Sequence, residues 1–124
     1  MIKITEIAYT AYPVTDIARA RLFYETLLGL KVAAVFGEGA QQWIEFEVGG
    51  GTVAISNMAA GMWKPSPDGP SIAFEVENFD AAVATLKTAG VKFVIEPMQS
   101  PVCRMAIISD PDGNSVLMHK RNAA

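Results

Sequence analysis

The chain has 124 residues, 51% of them hydrophobic and 19% charged, which suits one small domain with a buried core and argues against disorder. The net charge of −3 and the scattered basic residues argue against nucleic acid as a partner. No apolar run reaches the ~18 residues of a membrane span, and a single cysteine excludes an internal disulfide.

The first predicted element is a strand over Ile2–Val14, which begins almost at the first residue. This segment has neither the charged region nor the apolar region of a signal peptide. Together with the lone cysteine, it predicts a cytoplasmic protein in a reducing compartment.

A helix is predicted from about Ile17 to Leu28, because apolar residues recur on one face at helical spacing. Thr15 and Asp16 are placed to cap its N-terminus, and Gly29 ends it. The residues of the predicted apolar face are Ile17, Ala20, Tyr24, Leu27 and Leu28.

Three short apolar runs follow, and each predicts a strand: Leu30–Phe36, Gln42–Val48 and Thr52–Asn57. The triplet Gly49-Gly50-Gly51 predicts a hairpin turn between the last two. The loop Ala59–Gly69 is rich in Gly and Pro and is expected to link the two halves of the chain.

The second half opens with a predicted strand over Ser71–Val76. A helix from about Phe79 to Ala89 follows, with Phe79, Ala82, Val83 and Leu86 on one face, Asn78 or Asp80 as its cap and Gly90 at its end. The last predicted strands are Val91–Glu96, Cys103–Ser109 and Ser115–His119, with a hairpin turn at Asp110-Pro111-Asp112-Gly113.

The two halves have the same order of elements. Val14-Thr15-Asp16 falls on Val76-Glu77-Asn78, an offset of 62 residues (76 minus 14), and each half continues with three strands. We therefore predict an α+β fold in which two βαβββ modules form a curved mixed sheet around a cleft, the natural ligand site. The whole chain, 1–124, is expected to be one domain made of module 1 (about 1–57), a linking loop (about 58–70) and module 2 (about 71–120).

Two motifs carry a family resemblance. The first runs from Pro13-Val14-Thr15-Asp16-Ile17 through Phe23-Tyr24 to Leu28-Gly29-Leu30, and the second is Asp110-Pro111-Asp112-Gly113-Asn114 before a final strand. With the duplication, they resemble the vicinal oxygen chelate superfamily, which includes glyoxalase I, fosfomycin- and bleomycin-resistance proteins and extradiol dioxygenases.

The resemblance implies a divalent metal held by His, Glu or Gln side chains on the first and last strand of each module. Carried over one at a time, the four ligand positions fall at Tyr9, Ala54, Ser71 and Leu117. None of these is a His, Glu or Gln, and two lack any donor atom. We therefore expect no metal and no other cofactor, and with them no metal-dependent chemistry.

Alternation along the strands, anchored on these four positions, predicts which side chains face the cleft. The predicted set is mostly apolar, with two aromatic rings, and suits a small molecule of aromatic or cationic character. The predicted ligand-binding residues are Tyr9, Trp43, Glu45, Ser71, Met105, Ile107, Leu117 and His119, and the rest of the cleft-facing set is Ala11, Thr52, Ala54, Ser56, Ala73, Glu75 and Cys103.

Several of these residues have an alternative interpretation. Trp43 is either a ligand contact or a core residue. His119, the only histidine, is either half of an acid–base pair with Glu45 or Glu75, or a residue at the rim. Cys103 is either a nucleophile or a small buried residue.

Two further sets of side chains also leave alternatives open. Glu45 and Glu47 are either paired carboxylates or separate, with one of them in solvent. Trp63 and Met62, on the linking loop, are expected at a lid or at a dimer contact.

The function predicted from these observations is small-molecule binding without a metal, as in the bleomycin-resistance branch, rather than catalysis. The alternatives are a glyoxalase I- or dioxygenase-type lyase or oxidoreductase, and a metal-free enzyme that uses His119 and a cleft carboxylate. Exposed strand edges predict a homodimer.

Overall fold

The computed structural model describes residues 1–123, and they fall into two compact units, Met1–Pro65 and the residues from Ser66 onward. Each unit holds one four-stranded mixed sheet, with its elements in βαβββ order along the chain. The α+β class and the duplicated module predicted from the sequence are therefore confirmed. No helix of residues 1–123 is long and apolar enough to cross a membrane.

The first unit contains the strands β1 (Thr10–Pro13), β2 (Lys31–Glu38), β3 (Gln41–Val48) and β4 (Gly51–Ser56). Their order in the sheet is β1-β4-β3-β2, with β1 parallel to β4 and the other pairs antiparallel. Between β1 and β2 lies the helix α1 (Ile17–Arg21), which continues as a π-helical segment, Leu22–Leu27.

The predicted first strand, Ile2–Val14, is wrong in its extent, because only Thr10–Pro13 is a strand. A strand needs a neighbouring backbone to satisfy its N–H and C=O groups. Only Thr10–Pro13 finds one, pairing with Val53–Ser56 of β4. Residues 1–9 carry no regular structure, and Ile2, Ile4 and Ile7 are more than 80% exposed.

The first helix begins as predicted, since the Asp16 side chain accepts a hydrogen bond from the backbone N–H of Arg19 at 3.0 Å. Its second half differs, because the N–H of Leu28 donates to the carbonyl of Phe23, five residues back. The wider turn brings the adjacent Phe23 and Tyr24 into the core together, with Ala20. Ile17, Leu27 and Leu28 of the predicted apolar face are only partly buried.

The core of the first unit lies between this helical segment and one face of the sheet. Its centre is Tyr24, which is fully buried and contacts three other rings, at centroid distances of 4.9 Å to Phe23, 5.9 Å to Tyr12 and 6.4 Å to Phe46. In β3 and β4, Ile44 lies opposite Ile55 and Phe46 opposite Val53, and all four are buried. The alternate residues of these strands therefore face away from the helix.

The second unit contains β5 (Ile72–Glu75), the helix α2 (Phe79–Thr88), β6 (Phe93–Gln99), β7 (Cys103–Ser109) and β8 (Ser115–Arg121), with the sheet order β5-β8-β7-β6. Asn78, one of the two predicted caps, accepts a hydrogen bond from the N–H of Ala81. The helix ends before Gly90, whose φ of 77° suits only glycine without strain. The buried core residues are Phe74, Phe79, Leu86, Ala106, Ile108, Val116 and Met118.

The predicted turn Asp110-Pro111-Asp112-Gly113 joins β7 to β8, and Gly113 has a φ of 90°. Asp110 is only 4% exposed, and its carboxylate accepts hydrogen bonds from the N–H groups of Asp112 and Asn114 and from the Asn114 side-chain amide, each at 2.9 Å. The Asn114 side-chain carbonyl oxygen in turn accepts from the N–H of Ser66 at 3.1 Å. This motif therefore anchors the start of the second unit to its last hairpin.

Candidate ligand-binding site

The face of the first sheet that points away from its helix carries the aromatic residues predicted to bind a ligand. Trp43 lies opposite Ser56 of β4, and Glu45 lies opposite Ala54. On the other side of β3, Phe36 of β2 lies opposite Trp43. Because facing residues of adjacent strands share one face of a sheet, these side chains are neighbours.

Two contacts fix the orientation of the Trp43 ring. The ring of Tyr9, which comes directly before β1, meets it edge to face at a centroid distance of 5.0 Å and an angle of 86°. The indole Nε1–H donates a hydrogen bond to the Glu45 carboxylate at 2.9 Å. Tyr9, Phe36, Trp43 and Glu45 are called the Trp43 cluster below.

The Trp43 cluster combines exposed ring surface with a carboxylate. Tyr9 is 50% exposed and Phe36 is 55% exposed, while Trp43 and Glu45 are half-buried. Among residues 1–123, no Lys or Arg forms an ion pair with Glu45. Aromatic faces beside an unneutralised carboxylate attract flat rings and organic cations.

The corresponding face of the second sheet is mostly apolar. Met105 lies opposite His119, and Ile107 lies opposite Leu117, which has Ala73 on its other side. The residue between Met105 and Cys103 points the other way, since the Arg104 guanidinium lies over the Phe79 ring at 4.6 Å and contacts Asp80 at 2.7 Å. Met105, Ile107, Leu117 and His119 therefore share the face away from α2.

His119 is held by a carboxylate on the neighbouring strand. Its Nδ1 lies 2.6 Å from one Glu75 oxygen, and the other Glu75 oxygen accepts the backbone N–H of Arg121 at 2.7 Å. That N–H and the imidazole hold the pKa of the Glu75 carboxyl below its ordinary value. Because a carboxylate can only accept, Nδ1 carries the proton, and Nε2 is an acceptor when the ring is neutral.

The structure brings the predicted residues together in two groups, one in each unit. Tyr9, Trp43 and Glu45 lie together, and Met105, Ile107, Leu117 and His119 lie together. Ser71 is exposed and comes directly before β5, outside the contacts of either group. Of the two carboxylates considered as partners for His119, Glu75 contacts it. Glu47 is exposed and lies opposite Lys31, so the structure gives no support to a pair with Glu45.

Sequence reasoning missed Phe36 and Arg121. In β2, an irregularity between Val32 and Ala34 shifts the register, so that alternation counted from the start of the strand does not give the face of Phe36. Arg121 was missed because β8 extends two residues past His119. Aligning β2 with β3 as an antiparallel pair would have placed Phe36 opposite Trp43.

The four positions that correspond to metal ligands do not fit a divalent ion. Ala54 is fully buried and Leu117 is a hydrocarbon, so neither offers a donor atom. Tyr9 and Ser71 offer only neutral hydroxyl groups, which are poor ligands. In residues 1–123, no three His, Cys, Asp or Glu side chains are grouped so as to hold a metal. The side chains present therefore disagree with the metal that the family resemblance implies.

We predict that the purified protein carries no stoichiometric transition metal, because the donor set cannot hold one. Elemental analysis after dialysis is expected to find far less than one Ni, Mn, Zn or Fe per chain. One tightly held ion per chain that survives dialysis would contradict the prediction.

The fold and the motifs agree with a known family. The model of the Glyoxalase/Bleomycin resistance protein/Dioxygenase superfamily matches residues 6–118. The chain therefore belongs to this superfamily, as its motifs indicated.

Individual relatives cover nearly the whole chain. The protein YetH of Bacillus subtilis (strain 168) is 30% identical over 117 residues, which are 93% of this chain and 98% of YetH. TnmS3, an antibiotic binding protein from Streptomyces sp. CB03234, has a similar fold, with a TM-score of 0.79, 24% identity and coverage of 98% of this chain and 100% of its own. A glyoxalase/bleomycin resistance protein from the same strain has a TM-score of 0.75 and 26% identity, over 93% of this chain and 100% of its own.

Proposed function

We propose that this protein binds a small molecule, aromatic or cationic in character, on the face of the first sheet that points away from its helix, without a metal. The observation that carries the proposal is the Trp43 cluster, in which Tyr9 and Glu45 orient a half-buried indole. The similarity of the fold to TnmS3, which binds an antibiotic, supports binding rather than chemistry.

The physical reason lies in what the cluster leaves unsatisfied. Tyr9 and Phe36 expose about half of their surface, and such exposed rings gain free energy when a flat ligand covers them. Glu45 has one hydrogen bond from Trp43 and no basic partner among the described residues, so a cation would complete its contacts. In the second unit, Met105, Ile107 and Leu117 form an apolar surface of their own on the face of its sheet away from α2.

The first experiment is a thermal-shift screen of aromatic amines and other organic cations. A compound at ~100 times its Kd stabilises a protein by ~2.7 kcal/mol, which raises the melting temperature of a small domain by a clearly measurable amount. Neutral aromatic analogues of each hit separate stacking from charge. Absence of any stabilising compound in either class would count against the proposal.

Trp43→Ala is expected to weaken binding of such a hit by about 1–3 kcal/mol, or roughly 5- to 150-fold in Kd, because it removes the stacking face. Trp43→Phe is the matched control, since it keeps an aromatic ring while it loses the hydrogen bond to Glu45 and part of the ring surface, and a smaller change is expected. Isothermal titration calorimetry measures both. Equal affinity for the wild-type protein and Trp43→Ala would contradict a ligand contact at this ring.

A second candidate function is proton transfer without a metal, favoured by the 2.6 Å contact between His119 and Glu75. Its test is chemical conversion of a bound hit, detected by mass spectrometry. His119→Gln should abolish this turnover but leave binding measurable. Glyoxalase- or dioxygenase-type chemistry remains the alternative that requires added Ni, Mn, Zn or Fe. Activity that appears only with one of these ions would replace the proposal.

We also expect a homodimer, because apolar side chains of the N-terminal segment and of the linking loop are strongly exposed. Ile2, Ile4 and Ile7 are 87%, 84% and 81% exposed, and Met62 on the linking loop is 92% exposed. Light scattering at micromolar concentration should give twice the chain mass of 13.3 kDa. Met62→Lys should weaken the dimer, whereas Leu22→Lys, on the exposed side of the first helix, should not. A monomer at that concentration would contradict the prediction.

A further inference from the structure

The second unit contains a groove of about 600 Å³ at the start of β7 and the end of β8. Its walls are Pro101–Cys103, His119 and Arg121–Ala123. The walls differ in character, because Pro101, Val102 and Ala123 are apolar, while His119 and Arg121 are basic. No Asp or Glu among the described residues lines this groove.

Both basic side chains have nitrogen atoms available for a ligand: those of Arg121 are donors, and Nε2 of His119 donates when the ring is protonated. Glu75 already uses one oxygen for His119 Nδ1 and the other for the backbone N–H of Arg121, so Nε2 is the His119 nitrogen available to the groove. The Arg121 guanidinium is 78% exposed, and its nearest contact to Glu75 is 3.9 Å, which is too long for a hydrogen bond. The guanidinium keeps its forked donor geometry, which matches a carboxylate.

The charges around the groove indicate the charge of the ligand. The Arg121 guanidinium carries a positive charge, and no Asp or Glu of the described residues lines the groove to neutralise it. An anion therefore fits this groove better than a cation. The apolar wall favours an anion that also carries a hydrocarbon part over a bare inorganic ion.

We propose that this groove binds a small organic carboxylate, with its carboxylate between His119 and Arg121 and its hydrocarbon part against Pro101 and Val102. The proposal goes beyond the proposed function, because it adds a ligand class for the second unit and shares His119 only with the second candidate function. It does not depend on the Trp43 cluster.

The probe is benzoate. Its binding to the full chain is monitored by NMR, with the His119 ring and the Arg121 side chain as reporters. Saturable binding with shifts at both residues is expected. Arg121→Gln and His119→Gln should each raise the Kd by about tenfold, the effect of losing one charge-assisted hydrogen bond. Benzamide, the neutral analogue, should bind at least tenfold more weakly.

Lys120→Gln is the matched control, because it removes the same charge one residue away. Lys120 lies opposite Arg104, which faces α2, so its loss should leave the Kd for benzoate unchanged. A similar loss of affinity in Lys120→Gln would show a nonspecific charge effect and overturn the proposal. Equal binding of benzamide or of inorganic phosphate, or no saturation by benzoate, would also overturn it.

Trp43→Ala separates this proposal from the proposed function. It should leave benzoate binding unchanged and weaken binding of the aromatic or cationic hit. If benzoate fails to bind while Trp43→Ala still weakens the hit, the groove proposal fails and the proposed function stands. If benzoate binding depends on Arg121 but no hit is sensitive to Trp43→Ala, the groove proposal stands and the proposed function fails.

Discussion

Replacing Tyr24 with alanine is expected to lower the free energy of unfolding by about 3–5 kcal/mol. Tyr24 is fully buried in the π-helical segment, and its ring contacts Tyr12, Phe23 and Phe46. Removing it leaves a cavity lined by three rings that are themselves fixed by the helix and the sheet. The structure around it has little freedom to collapse, so the loss should fall in the upper part of the range for large-to-small core substitutions.

Urea unfolding followed by circular dichroism measures this change, and Leu22→Ala is the matched control. Leu22 is in the same segment, but it is 65% exposed, so its truncation should cost well under 1 kcal/mol. Tyr24→Phe keeps the ring and should lose much less than Tyr24→Ala. Comparable stability of Tyr24→Ala and Leu22→Ala would mean that the aromatic core is not where the structure places it.

Asp110→Ala is expected to destabilise the protein by about 2–4 kcal/mol, although Asp110 lies in a turn. The carboxylate is buried and accepts hydrogen bonds from the N–H of Asp112 and from both the N–H and the side-chain amide of Asn114. Its removal leaves the N–H of Asn114 and the amide of its side chain without this acceptor. Burying donors without partners costs more than a surface hydrogen bond is worth.

Asp68→Ala is the control for Asp110→Ala, because Asp68 is exposed and no hydrogen bond or ion pair of its side chain is found in the described residues. Its loss should change the unfolding free energy by less than about 0.5 kcal/mol. Asp110→Asn keeps one acceptor oxygen and should lie between the two. If Asp110→Ala unfolds at the same urea concentration as Asp68→Ala, the hydrogen-bond network contributes nothing to stability.

Elements bounded by strong local signals could be predicted from the sequence. The strand Cys103–Ser109 was predicted with its observed ends, because Pro101 precedes it and Asp110-Pro111 follows it. The starts of both helices followed from caps, since Asp16 and Asn78 each accept the N–H three residues ahead. These signals act within a few residues and need no knowledge of the rest of the fold.

Features that depend on distant partners could not be predicted from the sequence. The apolar residues of Ile2–Val14 suggested one long strand, but only four residues find β4 as a neighbour. The π-helical segment was also missed, because an ideal helical period places Leu27 and Leu28 on the buried face with Tyr24 and leaves Phe23 outside it. Packing of both Phe23 and Tyr24 against the sheet stabilises the wider turn instead.

The sequence indicated the candidate site only in part. Alternation with a period of two assigned Trp43, Glu45, Met105 and His119 to one cleft-facing set. The strand pairing puts Trp43 and Glu45 on one face of the first sheet, and Met105 and His119 on one face of the second. Alternation says nothing about which side chains bond to one another. The Trp43–Glu45 hydrogen bond and the groove beside Arg121 follow from side-chain packing and appear only in the structure.

The proposed ligand site lies on the side of the first sheet that points away from its helix. NMR of the protein with a hit from the screen tests this site most directly. The chain has two tryptophans, so two indole N–H signals are expected, and Trp43→Phe assigns them. We expect the Trp43 indole and the amides of β3 to shift on binding, while the amides of α1 and α2 stay in place. Shifts centred on the two helices, with the Trp43 indole unchanged, would contradict a ligand site on this face.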